Sequence, residues 1–81
     1  MKARVYVSLK STVLDPQGQT IQAALNGLGY HDISGVRQGK YFEIELDPKT
    51  SRDKAYQDID TIARDVLTNP VIEEFRIEFL D

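Results

Sequence analysis

Few side chains in this sequence could do covalent chemistry. Ser8, Ser11, Ser34 and Ser51 are the serines, His31 is the single histidine, and cysteine is absent from the 81 residues. Without a thiol there is no thiolate nucleophile, disulfide, iron–sulfur cluster or cysteine zinc site. A Ser-His-Asp triad needs a histidine held by its neighbours, and His31 falls in an expected loop after Gly29-Tyr30. A lone histidine leaves carboxylates as the remaining metal ligands, which favour hard cations. Glu43 and Glu45 share one face of an expected strand and could hold magnesium. The commoner role for such glutamates is to solvate the sheet or to pair with Arg37 and Arg76 across strands. The expectation is no catalytic residue, no metal and no cofactor bound by this chain.

Two binding chemistries need a closer look. The loop Leu14-Asp15-Pro16-Gln17-Gly18 opens a helix, and free N–H groups at such an end attract phosphate. Here Asp15 occupies those donors and repels an anion, and no arginine lies between Arg4 and Arg37, so an acylphosphatase-like site is not expected. For RNA, Val5 to Leu9 resembles the first-strand motif of RNA-recognition domains, and Gly39-Lys40-Tyr41-Phe42 part of the third-strand motif. Tyr6 and Tyr41 could share a face on which bases stack. Glu43, Glu45 and Glu78 would share that face too, in a chain with 13 acidic and 10 basic residues and a net charge of −3. A phosphate backbone would be repelled, so neither nucleic acid nor an anionic membrane is the expected partner. An RNA-recognition-like or small-ligand regulatory module stays as the alternative reading.

The elements that must position these residues alternate along the chain. Arg4 to Leu9 has period two, with Val5, Val7 and Leu9 facing one way and Tyr6 and Ser8 the other. Asp15-Pro16 caps and starts a helix whose stripe is Ile21, Ala24, Leu25 and Leu28, with Gly29 a left-handed stop. Ile33 to Gln38 reads as a second strand, a tight turn follows at Gln38-Gly39-Lys40, and Tyr41 to Leu46 completes a hairpin. Thr50 to Asp53 opens a second helix with Ala55, Ile59, Ile62, Ala63 and Val66 as its apolar stripe. Asn69-Pro70 stops it, and Val71 to Leu80 is the last strand, with Phe75, Ile77 and Phe79 inward.

The order β-α-β-β-α-β predicts an α+β fold in one domain over residues 1–81. It would be a ferredoxin-like four-stranded antiparallel sheet with both helices on one face. That arrangement hosts unrelated activities, so fold alone assigns none. No apolar run approaches the roughly 20 residues that span a bilayer, and Met1-Lys2-Ala3-Arg4 leads into no cleavage pattern. The reading is a soluble cytoplasmic protein. A domain this small, with no disulfide, is expected to pair with a copy of itself through a strand edge or the Tyr6/Tyr41 face.

Three stretches carry a family resemblance. Lys10 to Gly18, Val36 to Lys40 and Asn69 to Glu73 resemble, in order and spacing, the signature segments of the PurS family. PurS is the small subunit of phosphoribosylformylglycinamidine synthase, the formylglycinamide ribonucleotide amidotransferase. The resemblance implies a non-catalytic subunit in purine biosynthesis, usually a dimer, that supports assembly and ammonia transfer. It implies two partners: a glutaminase subunit (PurQ) that releases ammonia, and a synthetase subunit (PurL) that binds ATP, magnesium and the ribonucleotide. Asp15, Pro16, Gly18, Gly39, Asn69 and Pro70 have backbone roles within these stretches. Lys10, Gln17, Arg37, Lys40 and Glu73 are polar and near turns, and with Tyr6 and Tyr41 they are the candidate partner contacts.

Overall fold

Strand β1 (Lys2–Leu9) is the centre of the molecule, a computed structural model describing residues 1–80. Its alternation puts Ala3, Val5 and Val7 on one face, and all three are buried. β2 (Gly39–Glu45) pairs antiparallel on one side and β3 (Glu73–Leu80) on the other. The register sets Ala3 between Ile44 and Phe79, and Val5 between Phe42 and Ile77, so one sheet face is apolar row by row. Helix α2 (Arg52–Ile62) covers that face, with Ala55 and Ile59 fully buried. Ser51 caps it, accepting a hydrogen bond from the Lys54 N–H at 3.2 Å.

The chain leaves α2 through a π-helical turn, Ala63–Leu67. The extra residue in each hydrogen-bonded ring rotates the apolar stripe. Leu67 packs on the core in place of Val66, which was expected inward and is 72% exposed. The last strand also starts two residues late. Ile72 and Glu73 N–H groups donate to the Asn69 carbonyl, and the Asn69 N–H donates to Glu73 Oε1 at 2.7 Å, so Val71 and Ile72 form a turn.

Helix α1 (Pro16–Gly27) begins and ends as its sequence dictates. Asp15 caps the start. At the end the Gly29 N–H donates to Asn26 and the Tyr30 N–H to Leu25, with Gly29 at φ 103°, a Schellman stop that glycine adopts without Cβ strain. Its placement departs from expectation. No α1 side chain joins the buried core, and Ile21 and Leu28 are 40% and 74% exposed.

The expected fourth strand and hairpin are also absent. Among the described residues the sheet has three strands, in the order β2-β1-β3. Segment 33–38 is extended but unpaired, and no bend or turn separates it from β2. Gly39 does not adopt the left-handed conformation, and no backbone hydrogen bond links 33–38 to β2. The chain therefore runs through Gly39 without reversing. As a result the protein measures 51 × 27 × 14 Å, with a radius of gyration of 16.3 Å. A compact chain of this length would have about 12 Å.

The core makes a direct prediction. Ile59→Ala should destabilise by about 2–5 kcal/mol, whereas Val66→Ala should stay within about 0.5 kcal/mol. Urea unfolding followed by circular dichroism measures both; equal losses would contradict the rotated stripe.

Candidate partner-binding site

The three signature stretches meet where β1 ends. Lys10 ties two of them together: its N–H donates to the Ile72 carbonyl at 2.9 Å, and its carbonyl accepts from the Val13 N–H. Asp15 ties the first to the second. Its Oδ1 accepts from the Gly18 N–H at 2.9 Å, and its Oδ2 accepts from the Gln38 N–H at 2.7 Å. Those two hydrogen bonds, that to Gln38 foremost, hold the buried carboxyl below the usual carboxylate range against the opposing effect of burial, with the Arg37 charge adding to them. Gly18 is needed because α1 touches the extended segment there; a Cβ would lie 2.2 Å from the Val36 carbonyl oxygen.

Arg37 was placed on the open sheet face by the hairpin expectation. With no hairpin, its guanidinium turns back and donates to the carbonyls of Leu9 (3.1 Å), Lys10 (2.8 Å) and Val13 (3.2 Å). Its planar fork of donors suits such a cluster of acceptors. Arg37 is therefore an internal latch on the loop before α1.

Gln17, Lys40 and Glu73 gather around an open cleft of about 260 Å³, with Ser8, Asp15 and Gln38 in its walls. Lys40 Nζ lies 4.0 Å from Glu73 Oε2 and 5.7 Å from the centre of the Phe42 ring. The register puts Lys40 opposite Val7 and Glu73 opposite Leu9, so this pair sits on the helix-bearing face. Tyr6 and Tyr41 lie on the other face as neighbours, with ring centres 5.9 Å apart. Cations crowd them: Arg76 stands 4.3 Å above Tyr6 and Arg4 6.0 Å from Tyr41. Five of the seven candidates thus divide between two faces, while Lys10 and Arg37 belong to the loop junction at the end of β1.

The glutamates of the open face find different partners from those expected. Glu43 accepts from Arg4 at 3.1 Å, Glu45 lies 4.0 Å from Lys2, and Arg76 pairs with Glu78 at 3.7 Å. With 33–38 outside the sheet, β1 is the neighbour that supplies cations to β2. Sequence reasoning read Asp15 as a helix cap and missed its second bond, because the reach to Gln38 depends on where the extended segment lies.

Chemically, the arrangement offers contact. Among the described residues no group of three His, Asp or Glu side chains could hold a metal ion, and His31 is exposed in a turn. No helix of the described residues is long and apolar enough to cross a membrane. The fold is α+β, two helices and a three-stranded antiparallel sheet, with an open polar cleft at the end of the sheet. Residues 2–81 match the family model "PurS: Phosphoribosylformylglycinamidine (FGAM) synthase". The chain is 41% identical over 81 residues to phosphoribosylformylglycinamidine synthase subunit PurS of Bacillus subtilis, covering 95% of this chain and 89% of that one. It is 45% identical over 76 residues to the subunit of the same description from Mycobacterium leprae, covering 94% and 91%. A chain in the structure of PurLQS from Thermotoga maritima superposes with TM-score 0.88 at 30% identity, covering 98% and 95%. The chain belongs to the PurS family.

Two outcomes follow from the latch. Arg37→Ala should cost about 1 kcal/mol in urea unfolding, as the lost hydrogen bonds are partly replaced by water. Because the folded Asp15 carboxyl is depressed, its contribution is complete above the ordinary carboxylate range. It is lost as pH falls through the lower folded value. Asp15→Asn should therefore flatten the fall in stability below about pH 4. An unchanged acid limb in unfolding titrations would contradict the Asp15 bridge.

Proposed function

We propose that this chain is the non-catalytic small subunit of phosphoribosylformylglycinamidine synthase. In that role it supports assembly of the synthetase and glutaminase subunits and the transfer of ammonia between them. The enzyme would use ATP and glutamine to convert formylglycinamide ribonucleotide to the amidine, in the cytoplasm, for purine biosynthesis. The observation that carries the reading is the full-length likeness to a PurLQS chain at TM-score 0.88. ATP and magnesium would be held by the synthetase. At the helix starts of this chain Asp15 and Ser51 already accept from first-turn N–H groups, which leaves those ends poorly suited to a nucleotide phosphate.

Partner contact would fall to Gln17, Lys40 and Glu73 around the cleft, with Lys10 beside it and Tyr6 and Tyr41 on the opposite face. Arg37 would act indirectly, by holding the loop that carries Lys10. The chain would also associate with itself as a homodimer or larger homo-oligomer, because the apolar side of α1 has no cover within one chain.

Reconstitution tests this reading. Synthetase and glutaminase subunits titrated with this chain should gain glutamine-dependent amidine synthesis, while the chain alone turns over neither glutamine nor ATP. Lys40→Ala should raise the concentration for half-maximal activity at least about tenfold if its charge is desolvated by a partner, with circular dichroism unchanged. Full synthesis without the chain would refute the role, and a superimposable Lys40→Ala curve would remove Lys40 from the contact.

A further inference from the structure

The turn before β3 is held more tightly than its place on the surface requires. The Asn69 carbonyl accepts from the Ile72 and Glu73 N–H groups, and its Oδ1 accepts from the Val71 N–H at 3.1 Å. The Asn69 N–H donates to Glu73 Oε1 at 2.7 Å. The Ile72 carbonyl is taken by the Lys10 N–H at 2.9 Å, which fastens the turn to the end of β1. This fixed backbone carries apolar side chains outward, Val71 at 77% exposure and Ile72 at 39%. An exposed apolar residue is ordinary by itself. One held on a rigid turn beside a charge loses little freedom when another protein covers it.

The charge beside it belongs to Lys40, and Glu73 joins the two. While Glu73 Oε1 closes the turn, its Oε2 stands 4.0 Å from Lys40 Nζ. That separation is beyond hydrogen-bond reach. Among the described residues nothing accepts a hydrogen bond from the ammonium, so its N–H donors are unused. Gln17, in the wall of the same cleft, has a side-chain carboxamide that is also unpaired among the described residues.

Unused donors call for an anion, and the surroundings decide its kind. The start of α1 offers no phosphate nest, because Asp15 already accepts from the Gly18 N–H. The Asp15 and Glu73 carboxylates in the cleft wall repel a doubly charged phosphate more than a single charge. A carboxylate, with one charge and two accepting oxygens, matches one ammonium and one carboxamide. The cleft is open, at about 260 Å³, so a free carboxylate would stay largely in water. One borne on a protein surface brings its own cover.

We infer that Lys40 takes an Asp or Glu side chain of a partner subunit, while Val71 is covered by apolar surface next to that acid. The inference rests on the reading that this chain assembles with synthetase and glutaminase subunits, and it names the chemistry of one contact between them.

The reconstituted complex tests it, with the concentration of this chain that gives half-maximal amidine synthesis as the readout. Lys40→Ala should raise that concentration at least about tenfold, and Lys40→Glu at least about tenfold further, since it sets two acids against each other. Val71→Asp should also raise it at least about tenfold. Lys49→Glu makes the same charge change beyond the far end of β2 and should stay within about twofold. Circular dichroism and the rate at saturation should match the wild type throughout. Added potassium chloride should weaken the wild type more than Lys40→Ala. Lys40→Glu no worse than Lys40→Ala, or an unchanged Val71→Asp, would overturn the inference and leave the subunit role standing. So would saturable binding of free glutamate to the chain alone, read from amide shifts at Lys40, because the cleft would then be a small-molecule site. Absence of stimulation by the wild type would remove the subunit role and the inference together.

Discussion

Asp15 is the point on which the shape of this protein depends. Its two carboxylate oxygens take N–H groups from opposite ends of the arm, Gly18 at the start of α1 and Gln38 just before β2. A helix cap needs only the first of these. The second closes a loop of the chain and fixes the angle at which α1 leaves the sheet. Arg37 reinforces it from the other side by gathering the Leu9, Lys10 and Val13 carbonyls. Each of these groups would be costly to leave unpaired near a protein interior, so the junction has one good arrangement.

A rigid junction divides the molecule into two parts. One is a conventional core: β1 between two strands, sealed by Ile59 and Ala63, with Tyr56 stacked on Phe79 at a ring separation of 5.5 Å. The other is an arm, uncharged from Pro16 through Tyr30, whose Ile21 and Leu28 side chains stay exposed. The polar cleft of Gln17, Lys40 and Glu73 lies at the seam between them. The junction holds these side chains in place at the open end of the sheet.

Much of this was legible in the residues. Period-two alternation placed Val5, Val7, Phe75 and Ile77 on the sheet's inner face, and capping chemistry at Asp15, Ser51 and Gly29 marked the helix limits. The resemblance of Lys10 to Gly18, Val36 to Lys40 and Asn69 to Glu73 to the PurS signature segments agrees with the family model matched over residues 2–81. The failures share a physical origin. Local pattern makes 33–38 read as a strand and α1 as one-sided, but it does not say where either lies, and in the structure 33–38 stays outside the sheet and α1 outside the core. Gln38-Gly39-Lys40 has turn-forming composition, yet Gly39 is extended because the Asp15 bond to Gln38 draws the preceding residues away. Val66 was misplaced for a smaller reason: a π turn shifts the helical register without any proline or glycine to announce it.

The central claim is that the Asp15 bridge between Gly18 and Gln38 fixes the start of α1 at the end of the sheet, away from the core. Amide hydrogen exchange on the wild type and on Asp15→Ala addresses it most directly. The account predicts that the Gly18 and Gln38 amides exchange at least about fivefold faster in the variant, the loss of a cap of about 1 kcal/mol, while the amides of β1 keep their protection. Equal protection of Gln38 in the two proteins would contradict it.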